Sequence, residues 1–342
     1  MARHKPLKKR CDVAMLVDAE TGERTKSGRF VFIGDGTDSM EPNILKQLRA
    51  RYARVAVVPF GPDIVATAAE LKKLRPRMVF NVTEWLEGNR RLDCAIAGLL
   101  DMLKLPYTGT GWEGLQLCRN KALSKQVVGQ AGVDVPRCFT VERGARIVNP
   151  GLPFPLIVKP QFGDGSDEIT NASLVTTPRQ LRRQVRSVHV NLREPAVCEE
   201  YIAGRDVYVQ LLGNEPRVLA PVEMVIESKK ASAPKFATYR VKHDGYYRSK
   251  WRVKYRLARV SPRVQRRITD YCRKAFHALK LRDYARIDFR LTDDGRLAFI
   301  EANPNPDLTP HNLGMYLCFP GIEYRHLIPR IVEIARKRHR KR

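Results

Sequence analysis

The sequence predicts a chain of mixed class, α/β in its first third and α+β after it. Three observations point there. Between residues 30 and 111, short apolar runs alternate with stretches whose apolar residues recur every three or four positions, which reads as strand and helix in turn. From 154 to 168, an apolar run ends in Lys159 and breaks into a loop carrying Gly163 and Gly165. From 284 to 301, two apolar runs flank an Asp-Asp-Gly turn, the signature of a β-hairpin.

Composition sets the outer limits. The 342 residues suffice for two or three domains, and 43% hydrophobic content supplies a sizeable core. No run approaches the roughly eighteen apolar residues of a membrane helix. The basic start, Lys5 to Arg10, is followed by no long apolar stretch, so a cytoplasmic protein without a secretory leader is expected. Cysteines 11, 94, 118, 138, 198, 272 and 318 form no Cys-x-x-Cys, which reads as reduced thiols and not as a zinc site or a nucleophile. Sixty-two basic against 36 acidic residues give a net charge of +26. That excess suits an anionic partner, such as nucleic acid, a membrane surface or an acidic substrate, or else it only solvates the surface.

In the first third, 30–36 reads as a strand ending in a glycine turn. Residues 42–52 read as a helix from Ile44, Leu45 and Leu48, and 54–58 as a second strand. Residues 64–74 form a helix with Pro76 past its end, and 78–82 a third strand. Residues 92–103 form a helix with Ala95, Ile96, Leu99, Leu100 and Leu103 on one side. Such alternation argues for a parallel layer with a crevice at the strand ends. Gly34-Asp-Gly-Thr lacks the full spacing of a dinucleotide fingerprint and reads as a turn. Residues 1–28 are expected to be a basic segment outside this domain.

The middle of the chain carries cations where a core would exclude them. Lys121 opens a helix over 122–129. Lys159 ends an apolar strand, and a lysine there needs an anion. The glycines of the loop 161–168 free successive N–H groups to cradle a phosphate. A basic amphipathic helix follows at 180–190, then strand, turn and strand from 196 to 213, with Glu199 and Asp206 on them. Residues 229–259 interleave basic and aromatic side chains. They suit substrate-side loops or a base-stacking surface. Residues 264–280 form an amphipathic helix of the core kind.

The hairpin holds the sharpest constellation. Asp288 sits in its first run, and Glu301 and Asn303 end the second. Side chains two apart share a face of a strand, so Glu301 and Asn303 point the same way, and the turn folds Asp288 back toward them. Hard oxygen donors so arranged suit Mg²⁺, which completes its shell with phosphate oxygens. An isolated hairpin carboxylate is usually a surface charge. Here Ile287, Phe289, Phe299 and Ile300 surround the acids with apolar neighbours, where an unpaired charge is costly. The Pro-rich segment 303–310 cannot continue the strand and reads as a rigid loop.

Arg-Ile-Asp followed by Glu-Ala-Asn-Pro-x-Pro resembles the metal-binding end of an ATP-grasp ligase of the D-alanine–D-alanine ligase family. Further matching segments run in the expected order from about 78 to 313: Val79-Phe-Asn-Val, Ala97-Gly-Leu-Leu-Asp-Met-Leu-Lys-Leu-Pro-Tyr-Thr-Gly, Asn120-Lys-Ala-Leu-Ser-Lys and Glu199-Glu-Tyr-Ile-Ala-Gly-Arg-Asp. The resemblance implies an ATP-grasp fold with an N-terminal Rossmann-like, pre-ATP-grasp α/β domain over 29–120. A lid would span 121–200, a C-terminal domain with the Mg site 201–335, and a basic tail 336–342. It further implies that Lys121, Lys159, Gly163, Gly165 and Ser166 hold ATP phosphates. Glu199 and the backbone of Tyr201 and Ile202 would meet the adenine, and Asp206 the ribose hydroxyls. Asp288, Glu301 and Asn303 would hold Mg²⁺, and Arg286 would stabilise the transferring phosphoryl group. Lys242, Asp307 and Asn312 fall on the substrate side.

Departures bear on the substrate. Asp307 stands where the family has glycine, Asn312 where it has serine, and Glu168 replaces a loop glycine. The loop after the third strand and the acid after the first do not match in register. The expected activity is therefore an ATP-dependent ligation of a carboxylate to an amine through an acyl-phosphate, with D-alanine, another amino acid or a peptide as substrate. The alternative is a non-catalytic ATP- or anion-binding protein whose basic surface meets nucleic acid or membrane. Pairing into a homodimer is compatible with either.

Overall fold

The computed structural model describes residues 10–33, 39–163, 166, 169–228, 230, 232–310, 319 and 321–340. The chain divides into two compact units: residues 1–112 with 307–315 and 321–342, and residues 113–306 with 316–320.

The first unit is built on a three-stranded parallel sheet. Its central strand β1, Val13–Asp18, lies between β4, Val55–Phe60, and β5, Val79–Asn81. Val13 to Val17 are all buried, as expected of an uninterrupted apolar run covered on both faces. Helices α1, Met40–Arg51, α2, Ile64–Leu74, and α3, Asp93–Met102, follow the strands. Asp63 caps α2 by accepting the N–H of Ala66 at 2.8 Å.

Three sequence expectations are corrected here. Residues 1–28 are not a segment outside the domain, because β1 lies within them and is the sheet's centre. The basic run before it, Lys5 to Arg10, masks a short apolar strand. Phe30–Phe32 is β3, which among the described residues pairs with β2, Gly22–Arg24, in a separate two-stranded ribbon. Residues 336–340 close helix α10, Tyr324–Arg340, whose Leu327, Ile328, Ile331, Val332 and Ala335 are buried. This helix packs on α1 and belongs to the first unit. Its apolar stripe has helical spacing, which the flanking Lys and Arg obscure. The glycine turn read at Gly34-Asp-Gly-Thr lies outside the described residues.

The second unit holds two antiparallel sheets. The first has the order β6–β9–β7–β8, from Cys138–Val141, Ala196–Glu200, Leu156–Pro160 and Leu174–Val175. Helix α6, Pro178–Asn191, covers it with Leu181, Val185 and Val188. The second has the order β13–β12–β10–β14–β15, from Val253–Leu257, Val222–Ile226, Arg205–Leu212, Tyr284–Leu291 and Leu297–Pro304. A short strand β11, Arg217–Val218, pairs with β10. One face of this sheet carries Val207, Val209, Leu211, Ala285, Ile287 and Phe289, which share a core with α9, Pro262–Ala278. Between α3 and β6 run α4, Trp112–Arg119, and α5, Lys121–Gln130, and Val128 of α5 joins the same core. Helices α7, Tyr239–His243, and α8, Gly245–Trp251, cover Tyr208 and Met224 on the other face. The stretch read as substrate-side loops is thus two short helices and an edge strand.

The expected divisions at 121–200 and 201–335 are the two sheets of this one unit, apart from α10. Among the described residues no helix is long and apolar enough to cross a membrane. Cys11, Cys94, Cys118, Cys138, Cys198 and Cys272 are free thiols, and Cys318 lies outside the described residues.

Candidate active site

The site is a cleft within the second unit, lined from both of its sheets. Lys159 and Glu199 come from the first sheet. Asp206, Tyr208, Asp288, Arg290 and Glu301 come from the second, and Lys242 comes from α7. Ile157, Ile169, Ile202, Phe236 and Ile300 supply apolar walls.

Strand register explains why so many polar groups converge. Asp206 pairs with Arg290, Tyr208 with Asp288, and Gln210 with Arg286 across β10 and β14. Asp288 then pairs with Glu301, and Arg286 with Asn303, across β14 and β15. Alternation therefore puts one row of polar side chains on the cleft face while the intervening residues fill the core. A register shift between Asp288 and Phe289 leaves Ile300 as the extra residue of a bulge. Bulges of this kind re-aim a side chain beside a site.

Arg286 grips Asp288 with Nε at 2.7 Å from Oδ1 and Nη2 at 2.9 Å from Oδ2. Asp288 is buried. Burial raises its carboxyl above the ordinary value, the Arg286 guanidinium offsets part of that, and the charge of Glu301 adds to it. Lys242 Nζ stands 4.0 Å from Oε1 of Glu301. The Asn303 amide nitrogen is buried and has no hydrogen-bond partner among the described residues.

On the opposite wall Glu199 is almost wholly buried between two lysines. Lys125 Nζ lies 2.8 Å from Oε1 and Lys159 Nζ lies 2.9 Å from Oε2. Burial alone would raise the Glu199 carboxyl, but the two ammonium groups outweigh it and hold it at about 2. Lys125 also donates to the Ile300 carbonyl at 2.9 Å, which ties α5 to β15.

The predicted residues fall into four groups. Lys159, Ser166, Glu199, Tyr201, Ile202, Asp206, Lys242, Asp288 and Glu301 all line the cleft, and Arg286 and Asn303 pair across strands beside them. Lys121 is buried and donates to the carbonyl of Gly163, while Ser166 Oγ donates to the Ala237 carbonyl at 3.1 Å. Asp307 belongs to the first unit, where it accepts from Thr309 N at 2.7 Å and Thr309 Oγ1 at 2.6 Å. Gly165, Glu168 and Asn312 lie outside the described residues.

Sequence reasoning missed Lys125 and Arg290. Lys125 is one helical turn beyond Lys121 and faces the same way. Arg290 lies two residues past Asp288, so the rule that paired Glu301 with Asn303 reaches it too.

The donor chemistry fits a divalent cation with partial coordination from protein. Asp288 and Glu301 are like charges facing each other across one strand pair, and Asn303, two residues beyond Glu301, can offer its amide oxygen on the same face. A hard cation would relieve that repulsion. Among the described residues no group of three or more His, Cys, Asp or Glu side chains could hold a metal. Two carboxylates and one amide leave most of an octahedral shell to phosphates and water, as is usual for Mg²⁺.

Known proteins share both sequence and architecture with the chain. The family D-ala D-ala ligase C-terminus matches residues 130–333. A D-alanine–D-alanine ligase from Methylobacterium radiotolerans is 32% identical over 82% of this chain and 87% of its own. An uncharacterized protein, y4sG, from Sinorhizobium fredii is 32% identical over 77% of this chain and 75% of its own. The crystal structure of a D-alanine–D-alanine ligase from Bacillus anthracis, complexed with ATP, superposes with a TM-score of 0.72. It covers 97% of this chain and 99% of the other at 18% identity, a likeness of fold. By sequence and fold together, the chain belongs to the D-alanine–D-alanine ligase family of ATP-grasp proteins, which are ATP-dependent carbon–nitrogen ligases.

Proposed function

We propose that this protein joins the carboxylate of an amino acid or small peptide to an amine, using Mg-ATP and passing through an acyl-phosphate. The observation that carries the reading is the single sheet face on which Arg286, Asp288, Glu301 and Asn303 are cross-strand neighbours, in a cleft that also holds Lys159 and Lys242.

In this reading the adenine lies against Ile157, Ile202, Phe236 and Ile300, and the backbone of Tyr201 and Ile202 meets its edge. Asp206 accepts from the ribose. Lys159, Lys121 and the glycine loop face the phosphates. Asp288, Glu301 and Asn303 would hold Mg²⁺, which supplies charge neutralisation at the phosphates when bound. The substrate carboxylate attacks the γ-phosphorus, ADP leaves, and the amine then displaces phosphate from the acyl carbon. Arg286 turns its guanidinium toward the charge that builds up on the transferring group, a contribution of preorganised charge and position. Lys242, beside Glu301, stands on the side where a substrate carboxylate enters.

The test is phosphate release from Mg-ATP across D- and L-amino acids, singly and in pairs, with Arg286→Ala alongside. One acid–amine combination should stimulate release, and Arg286→Ala should cut the stimulated rate by about 10²–10³. ATP binding without stimulated release by any combination would instead favour a non-catalytic nucleotide-binding protein.

A further inference from the structure

Arg290 is the most buried guanidinium of the cleft, at 5% exposure, and each of its nitrogens is engaged. Nη1 lies 2.9 Å from Oδ1 of Asp206. Nε donates to the Ile202 carbonyl at 3.0 Å. Nη2 reaches the Tyr201 hydroxyl at 3.3 Å and the Lys235 carbonyl at 3.4 Å. The guanidinium carbon stands 5.6 Å from the centre of the Tyr201 ring. One side chain thus ties β14 to the linker between the sheets and to the carboxylate at the start of β10.

The consequence falls on Asp206. It lines the cleft with its side chain 14% exposed, and an ionised carboxylate only accepts hydrogen bonds. With both oxygens available it could take two neighbouring sugar hydroxyls, one on each. Oδ1 here already accepts a charge-assisted bond from Arg290, so part of its charge and lone-pair capacity is committed. A hydroxyl placed against Oδ1 shares an oxygen whose charge Arg290 already draws on and gains less than one placed against Oδ2, which keeps the full bond.

We propose that Arg290 sets the sugar selectivity of the nucleotide cleft by holding one oxygen of Asp206, so that the cleft reads one ribose hydroxyl and ignores the other. This rests on the ATP-dependent reading of the site given above.

Calorimetric titration of the full chain with Mg-ATP, Mg-2′-deoxy-ATP and Mg-3′-deoxy-ATP tests it. In the wild type one deoxy analogue should bind about tenfold or more weakly, the size of a lost bond to a charged group, and the other within about threefold of ATP. Arg290→Gln frees Asp206 and leaves a donor near the Ile202 carbonyl. In that variant the second analogue should also lose about tenfold. Equal losses for both analogues in the wild type, or no loss for either, would overturn the proposal, and neither result depends on the variant folding. Absence of any ATP binding is a separate outcome, which removes the ATP-dependent reading and this inference with it.

Discussion

Arg286 and Asp288 sit two residues apart on one strand and are joined through both carboxylate oxygens, at 2.7 and 2.9 Å. The pair holds the guanidinium and the carboxylate side by side on the cleft face before any ligand arrives. A bidentate fork is a geometry that lysine cannot reproduce. Arg286→Lys should therefore keep the charge and still lower kcat by about 10²-fold, with KM for ATP changing much less. Steady-state kinetics over a range of ATP concentrations checks this. Near wild-type kcat in the lysine variant would show that charge alone suffices.

Glu199 presents a case where removing charge is costly. Its carboxylate is buried between Lys125 and Lys159, so Glu199→Gln strands two ammonium groups. Breaking a buried pair typically costs about 3–5 kcal/mol, which is roughly 10 °C or more in Tm for a unit of this size. The pH dependence carries a definite sign. The folded carboxyl is held at about 2 against an ordinary value of 4.5, so its stabilisation is complete above about 4.5 and fades as pH falls toward 2. The Tm gap between wild type and variant should be wide at pH 7 and shrink below about pH 4. A gap independent of pH would point to lost packing instead of lost charge.

These residues differ in how far the sequence alone reveals them. Asp288, Glu301 and Asn303 are legible because a hairpin is local, and a two-residue period fixes which side chains share a face. The bulge at Ile300 is not legible, since it depends on how β15 meets β14. Lys125 and Glu199 are 74 positions apart, and only the fold brings them together. The same holds for Arg290 and Asp206. β1 is obscured for a different reason: five apolar residues, behind the basic run Lys8–Arg10 and bounded by Asp12 and Asp18, carry too short a period to separate strand from tail. Helix α10 shows the reverse, with a clear stripe at Leu327, Ile331 and Ala335 lost among cationic neighbours.

Asp18, at the end of β1, gives a pH effect of opposite sign to that of Glu199. Burial pushes its carboxyl up to about 6 from 3.8. The N–H groups of Glu84 and Trp85 oppose the shift, while the charges of Glu41 and Glu20 add to it. A raised carboxyl favours folding when protonated, so its contribution is greatest below 3.8 and is lost as pH rises through 6. The Glu84 N–H donates to Oδ2 at 3.0 Å and to Oδ1 at 3.3 Å, and the Trp85 N–H to Oδ1 at 3.3 Å, so an asparagine whose oxygen takes the Oδ1 place keeps an acceptor within reach of both. Asp18→Asn should match wild type in Tm near pH 4 and exceed it at pH 8. Thermal unfolding at the two pH values decides this, and a variant less stable at pH 8 would mean that the charge is stabilising there.

Gly204 sits in the linker that carries the chain from β9 to β10, beside Tyr201 and Ile202 of the cleft. A Cβ at this position would collide with the carbonyl of Leu291 on β14. That oxygen belongs to backbone, so relief requires the linker itself to move away from the sheet. Overpacking of this kind typically costs about 1–3 kcal/mol. The displacement would fall on the segment whose Ile202 carbonyl Arg290 holds at 3.0 Å. Gly204→Ala should therefore lower Tm and weaken ATP binding together, by about tenfold or more in Kd. Loss of stability with unchanged nucleotide affinity would show that the linker can shift without disturbing the cleft.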